Sequence, residues 1–273
     1  MNDERKDLDR LVQVVLDSPK YRGVSEVVVR QIGQRELSAG RSLKQAIKAT
    51  KNVLHQITGA YRDVGGRYTE WSHALTAAQT GGMECFRAAC TRILRSHAST
   101  RERLSLLPEF YTRTFAALPP IRSVLDIACG LNPLTIPWMN LDREVRYEAY
   151  DIDTGLGTFL SRFFQIAGIR GTAHVCDVTI APPTQRADLA LILKALPTLE
   201  HLHKTAGLSL LRSLNVDAIL VSFPVQSLGG REKGMRHHYA TRWLASVQTE
   251  PWSVTRFDFA TELVFLVEKR EPE

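Results

Sequence analysis

The sequence predicts an α/β fold: a doubly wound, largely parallel sheet preceded by an all-helical N-terminal half. Two patterns carry this reading. Apolar residues recur at helical spacing from Asp3 to about Leu118, and beyond Pro119 and Pro120 they condense into short strand-length runs that alternate with helical stretches. A third observation divides the chain the same way. Residues 1–117 hold 19 Lys and Arg against 12 Asp and Glu, a net charge of +7, whereas residues 118–273 hold 16 against 17, a net of −1. A basic helical domain, 1–117, is therefore expected ahead of a nearly neutral α/β domain, 118–273.

In the helical half, Leu8, Leu11, Val12 and Val15 mark a first helix. Leu43, Ala46, Ile47, Leu54 and Ile57 mark another, and Lys44, Lys48 and Lys51 form one stripe on it, suited to a phosphate backbone. Gly23, Gly40, Gly65–Gly66 and Gly81–Gly82 punctuate this half. Ser99 and Glu102 have the spacing of a capping box opening a helix through Leu104, Leu107 and Phe110.

Strands are expected at Ser123–Ala128, Arg146–Asp151, Thr172–Cys176, Asp188–Leu193, Ala218–Phe223, Trp252–Phe259 and Glu262–Glu268. Near-continuous apolar runs indicate strands covered on both faces. Only Ala260 and Thr261 separate the last two strands, so these form a hairpin. Five parallel strands followed by a hairpin resemble the sheet of the S-adenosylmethionine methyltransferases.

Composition excludes other classes. The 273 residues are 44% hydrophobic and 23% charged, and no apolar run reaches bilayer length. The charged start, Asp3 to Asp9, lacks the character of a secretory leader, so a cytoplasmic protein is expected. Cys85, Cys90, Cys129 and Cys176 lack Cys-x-x-Cys spacing and read as reduced thiols, with no metal.

Ligands of open α/β sheets lie beyond the carboxyl ends of the strands. The glycine turn at Gly130, with Asp126 upstream, follows the first strand; Asp151 ends the second and Asp177 follows the third. A strand-end acid such as Asp151 accepts ribose hydroxyls, and Asp177 is placed to accept from an adenine amino group. The turn is not G-x-G-x-x-G, which disfavours a dinucleotide.

The run Leu125-Asp126-Ile127-Ala128-Cys129-Gly130-Leu131-Asn132-Pro133 follows His97-Ala98-Ser99-Thr100-Arg101-Glu102-Arg103. Downstream lie Ser222-Phe223-Pro224 and Ser227-Leu228-Gly229-Gly230-Arg231-Glu232-Lys233-Gly234-Met235. Together they resemble the aminoglycoside-resistance methyltransferases that modify N7 of guanine 1405 in 16S rRNA. The resemblance spans nearly the whole chain.

It implies a cofactor, S-adenosylmethionine, held by Tyr61, His97, Ala98, Ser99, Arg103, Ala128, Gly130, Asp151, Asp177, Val178, Leu193 and Leu202, with Arg103 on the methionine carboxylate. It also implies a target base held near Lys194 and Met235, and phosphates met by Arg231, Lys233 and Arg236. Lys20, Arg22, Lys44, Lys48 and Lys51 would form the footprint on 16S rRNA within the 30S subunit, and the protein would act as a monomer. No acid/base residue is expected. Two alternatives stay open: a methyltransferase of the same fold acting on another position, such as adenine N1 of the decoding region or tRNA, and a non-catalytic RNA-binding assembly factor.

Overall fold

The structure is a computed structural model that describes residues 2–58, 67–202, 206–225 and 234–269. Seven strands form one sheet: β1 (Ser123–Ile127), β2 (Arg146–Asp151), β3 (Gly171–Val175), β4 (Ala187–Leu193), β5 (Val216–Pro224), β6 (Ser253–Asp258) and β7 (Glu262–Glu268). Their order is β3-β2-β1-β4-β5-β7-β6. The first five are mutually parallel, and β7 runs antiparallel to both β5 and β6. Chain order reverses between β1 and β4, which places the switch point of the sheet between them.

Alternation along the strands sorts side chains onto two covered faces. Val124, Tyr147, Ala149, Leu189, Leu191 and Val264 pack on one side. Leu125, Ile127, Ala190, Ile192, Ile219 and Phe265 pack on the other. The second face is covered by α9 (Leu196–Leu202), α10 (Ala206–Ser213) and α11 (Met235–Val247), through residues such as Leu199, Leu211 and Trp243.

The first face is covered partly by α8 (Thr154–Ala167), whose Phe159, Phe163 and Phe164 are buried. The β1–β2 crossover offers only a 3-10 stretch, Asn132–Trp138, because Pro137 inside it interrupts an α-helical ladder. Helices α4 (Tyr68–Gln79), α5 (Gly82–Leu94) and α7 (Leu107–Phe115) fill this place. Phe86 stacks on Phe163, and Arg87 donates to the Pro137 carbonyl at 2.6 Å.

The chain thus leaves its helical region near residue 117, but its apolar cores divide earlier. Helices α1 (Asn2–Leu16), α2 (Glu26–Ser38) and α3 (Leu43–Thr58) enclose their own cluster of Leu11, Val15, Val29, Ile32, Ala46 and Leu54. Trp71, Leu75, Phe86 and Phe110 belong to the sheet's core. Helical periodicity marks both groups alike and does not reveal which partner an apolar stripe covers.

A second difference lies at Ser99 and Glu102. Helix α6 (Ala98–Arg103) begins after His97, and Pro108 restarts the chain as α7. Ser99 is therefore inside the helix and shares a hydrogen bond with His97 Nδ1 at 2.8 Å, while Glu102 pairs with Lys194. No capping box forms. Among the described residues, no helix is long and apolar enough to cross a membrane, and no cluster of His, Cys, Asp or Glu has the form of a metal site.

Candidate functional site

A cleft opens at the carboxyl ends of β1 to β4, bordered by Ala128, Asp151, Ile152, Asp177, Val178, Leu193 and Lys194, with His97 and Ser99 closing one side. Ala128 and Lys194 follow adjacent strands, and both turn sharply out of the sheet with left-handed backbones, φ +50° and +58°. Such conformations cost a non-glycine residue about 1–3 kcal/mol and persist where surrounding contacts fix them.

Asp151 is oriented by three backbone N–H groups. Its Oδ2 accepts from Gly130 at 3.0 Å, and its Oδ1 accepts from Ile152 at 2.7 Å and Asp153 at 3.2 Å. Gly130, buried with φ +51°, thus holds Asp151 through its N–H. Asp177 Oδ1 accepts from the Thr179 N–H at 2.8 Å and hydroxyl at 2.6 Å, and no described residue donates to Oδ2. Two buried acids, Asp151 and Asp177, face walls made of Ile152, Val178, Leu193, Ala195 and Leu199. This acidic, apolar-walled slot fits a nucleoside: acceptors for its hydroxyl and amino groups and apolar surface for its base. His97 is 5% exposed, and burial with the nearby Arg103 and Lys194 charges lowers its pKa to about 4, so the imidazole is neutral.

The sequence resemblance implies that Arg103 meets the methionine carboxylate; in the structure it joins a buried network. Its guanidinium is buried and does not line the cleft. Nε and Nη2 donate to Glu262 Oε2 and Oε1 at 2.9 and 2.5 Å, and Nη1 donates to Asn132 Oδ1 at 2.9 Å. A buried fork requires a carboxylate, and Glu262 at the start of β7 provides one. The Arg103 and Lys194 charges hold the Glu262 carboxyl below its ordinary range, against burial, which raises it. Lys194 Nζ lies 2.7 Å from Glu102 Oε2 and 3.6 Å from Glu262 Oε2.

Asn132 in turn donates to Asp126 Oδ2 at 3.0 Å, which also accepts from the Tyr147 hydroxyl at 2.6 Å. Burial raises the Asp126 carboxyl to about 7, opposed by these two donors and by Arg103. The contacts of Asn132, Glu102 and Glu262 were not foreseen from sequence. The signal for Glu262 was a lone acid opening an apolar strand.

Of the other expected residues, His97, Ser99, Val178 and Leu193 border the cleft. Ala98 opens α6, away from the cleft wall, and Leu202 ends α9. Met235 opens α11, half-buried behind Gly234. Arg236, expected on phosphate, pairs with Asp258 at 2.8 Å and donates to the Phe259 carbonyl. Tyr61, Arg231 and Lys233 lie outside the described residues.

The residues of the expected basic footprint differ in their contacts. Lys20 donates to His55 Nδ1 at 2.8 Å, and Lys51 donates to Ser18 Oγ at 2.6 Å. Arg22, Lys44 and Lys48 are exposed, with no ion-pair partner among the described residues.

Residues 17–266 match the family described as ribosomal RNA methyltransferase (FmrO). The chain belongs to the FmrO family. One relative of this FmrO-family chain, a 16S rRNA (guanine(1405)-N(7))-methyltransferase of Frankia casuarinae, is 38% identical over 96% of the chain and 94% of that protein. A protein of Serratia marcescens with the same name is 38% identical over 93% and 96%. Among solved structures, the 16S rRNA methyltransferase RmtF in complex with S-adenosyl-L-homocysteine covers 96% of the FmrO-family chain and 98% of its own, at 32% identity and a TM-score of 0.78. The 16S rRNA methylase RmtB superposes with a TM-score of 0.76 at the same identity and coverages.

Proposed function

We propose that this chain transfers a methyl group from S-adenosylmethionine to N7 of guanine 1405 of 16S rRNA. Its substrate is the 30S subunit, it works as a cytoplasmic monomer, and its product confers resistance to aminoglycosides that bind the decoding centre. The observation that carries the reading is the nucleoside-shaped cleft at the switch point, in a chain related over almost its full length to proteins named for this reaction.

The cofactor when bound supplies a methyl group already activated on a sulfonium. Asp151 would accept the ribose hydroxyls and Asp177 the adenine amino group, between the Ile152, Val178 and Leu199 walls. Guanine N7 carries an unprotonated lone pair, so the chain's work is alignment rather than proton removal. The neutral His97 agrees with this.

Methylation leaves the guanine ring positive. The cations Arg103 and Lys194 are matched by Glu102 and Glu262, so a base held at Lys194 would meet an electrically balanced cluster. We assign Lys194 to the target base and Arg103 to holding Glu262. The helical unit Asn2–Thr58 would dock on rRNA phosphates through Arg22, Lys44 and Lys48.

The test is methyl transfer from labelled S-adenosylmethionine to 30S subunits, naked 16S rRNA and tRNA, with the modified nucleotide mapped. Label on N7 of guanine 1405, with 30S preferred, is the expected result. Label on another nucleotide would keep the chemistry and reject the target, and cofactor binding without transfer to any RNA would indicate a non-catalytic factor.

A further inference from the structure

We propose that Ser222 is a positioning residue for methyl transfer, fixing both ends of Lys194 at once; this rests on the assignment of Lys194 to the target base.

Strand pairing creates the arrangement. Leu193 of β4 lies opposite Ser222 of β5, so the next residue, Lys194, leaves the sheet directly beside the serine. The Lys194 N–H donates to both the Ser222 carbonyl and the Ser222 hydroxyl oxygen, each at 3.0 Å. That pair of acceptors holds the amide of a residue whose φ of +58° is unfavourable for any side chain with a Cβ.

A hydroxyl has one proton to give. Ser222 gives it to Glu262 Oε1, at 2.5 Å. Glu262 is the carboxylate whose other oxygen lies 3.6 Å from Lys194 Nζ and accepts from Arg103 Nε. The serine therefore touches the backbone of Lys194 directly and its ammonium through one carboxylate. Ser222 and Glu262 are both fully buried, so no solvent competes for either bond.

Removing the hydroxyl leaves the strand ladder and the Arg103–Glu262 pair in place. It also leaves the acids of the cofactor cleft untouched, since neither Asp151 nor Asp177 contacts Ser222. What it removes is the link between the turn of Lys194 and the carboxylate facing its ammonium. The loss belongs in the transfer step, where alignment within fractions of an ångström matters, and not in binding.

The experiment compares wild type, Ser222→Ala, Lys194→Ala and the double variant in single-turnover methyl transfer to 30S subunits. Cofactor affinity by calorimetry, 30S affinity by filter binding and thermal unfolding are measured on each. Ser222→Ala is expected to slow transfer tenfold or more, with both affinities within twofold of wild type. On the Lys194→Ala background it should add less than twofold. Ser222→Cys keeps the side-chain volume with a weak donor, and carries the same expectation if the alanine variant unfolds.

If Lys194→Ala slows transfer but the serine variants do not, the role of Ser222 is overturned while that of Lys194 stands. If the serine loss persists in full on the Lys194→Ala background, or tracks cofactor affinity, the serine acts elsewhere and the proposal is wrong. Unchanged transfer in Lys194→Ala overturns both readings.

Discussion

Asp126 is the residue where burial and charge conflict most openly. Its carboxyl is held near about 7 in the fold, against a usual value of 3.8. Between these values the folded chain binds a proton that the unfolded chain has released. Stability should therefore be fullest below about pH 4 for this group and decline as pH rises through 7. Asp126→Asn retains an acceptor for Tyr147 and Asn132 and cannot ionise. Thermal unfolding of wild type should fall by several degrees between pH 5 and pH 8 relative to the asparagine variant, at roughly 2–4 °C per kcal/mol. Parallel curves for the two proteins would show that Asp126 is ionised throughout. Asp151 accepts from three backbone N–H groups at the cleft wall. Hydrogen bonds to a charged group contribute about 1.5–3 kcal/mol, so Asp151→Ala should weaken cofactor binding roughly ten- to hundredfold by calorimetry. Its affinity for 30S subunits without cofactor should stay unchanged.

Among the elements, β1, β4, β5 and β7 were legible because a strand covered on both faces must be apolar along its length, and each of the seven expected runs lies within two residues of an observed strand. The three acids at successive strand ends were legible for a related reason, since polar residues that end apolar runs stand out. The sheet's cover was not. The β1–β2 crossover lacks an α-helix, and its place is taken by helices that precede β1 in the chain, an exchange invisible to local periodicity. Nor was the Arg103–Glu262 pair legible, because its two residues belong to α6 and β7 and meet only once the sheet has formed. Among the lysines of α3 the sequence showed the stripe but not its partners: Lys51 is tied to Ser18, leaving Lys44 and Lys48 as the exposed members. Replacing Arg22, Lys44 and Lys48 by alanine should weaken 30S binding and reduce the slope of log affinity against log salt by about 0.7–0.9 per lost phosphate contact. An unchanged slope in filter-binding titrations would place the footprint on another face.

For the whole molecule, the decisive feature is how the N-terminal helical unit meets the cleft. The link between α1 and α2 pairs with the segment that follows β2. The Ser25 N–H donates to the Ile152 carbonyl at 3.0 Å, and the Gly23 carbonyl accepts from the Thr154 N–H at 2.9 Å and from its hydroxyl at 2.9 Å. Ile152 packs against the N-terminal core while it also lines the cleft, one position beyond Asp151. A groove is lined by α2 on one side and by the turn from Asp177 to Ile180, which carries the second acid, on the other. One unit thus carries the proposed rRNA footprint and braces the segments that would hold the cofactor. Ligands that order a shared segment assist each other, and the assistance is reciprocal. S-adenosylhomocysteine should therefore slow amide hydrogen exchange at Ser25 as well as at Gly130, whose N–H is bonded to Asp151. It should raise 30S affinity by the same factor by which 30S raises its own. Slower exchange at Gly130 with no change at Ser25 would mean that the two halves bind their ligands independently, and that the contact at Ile152 is a joint without a message.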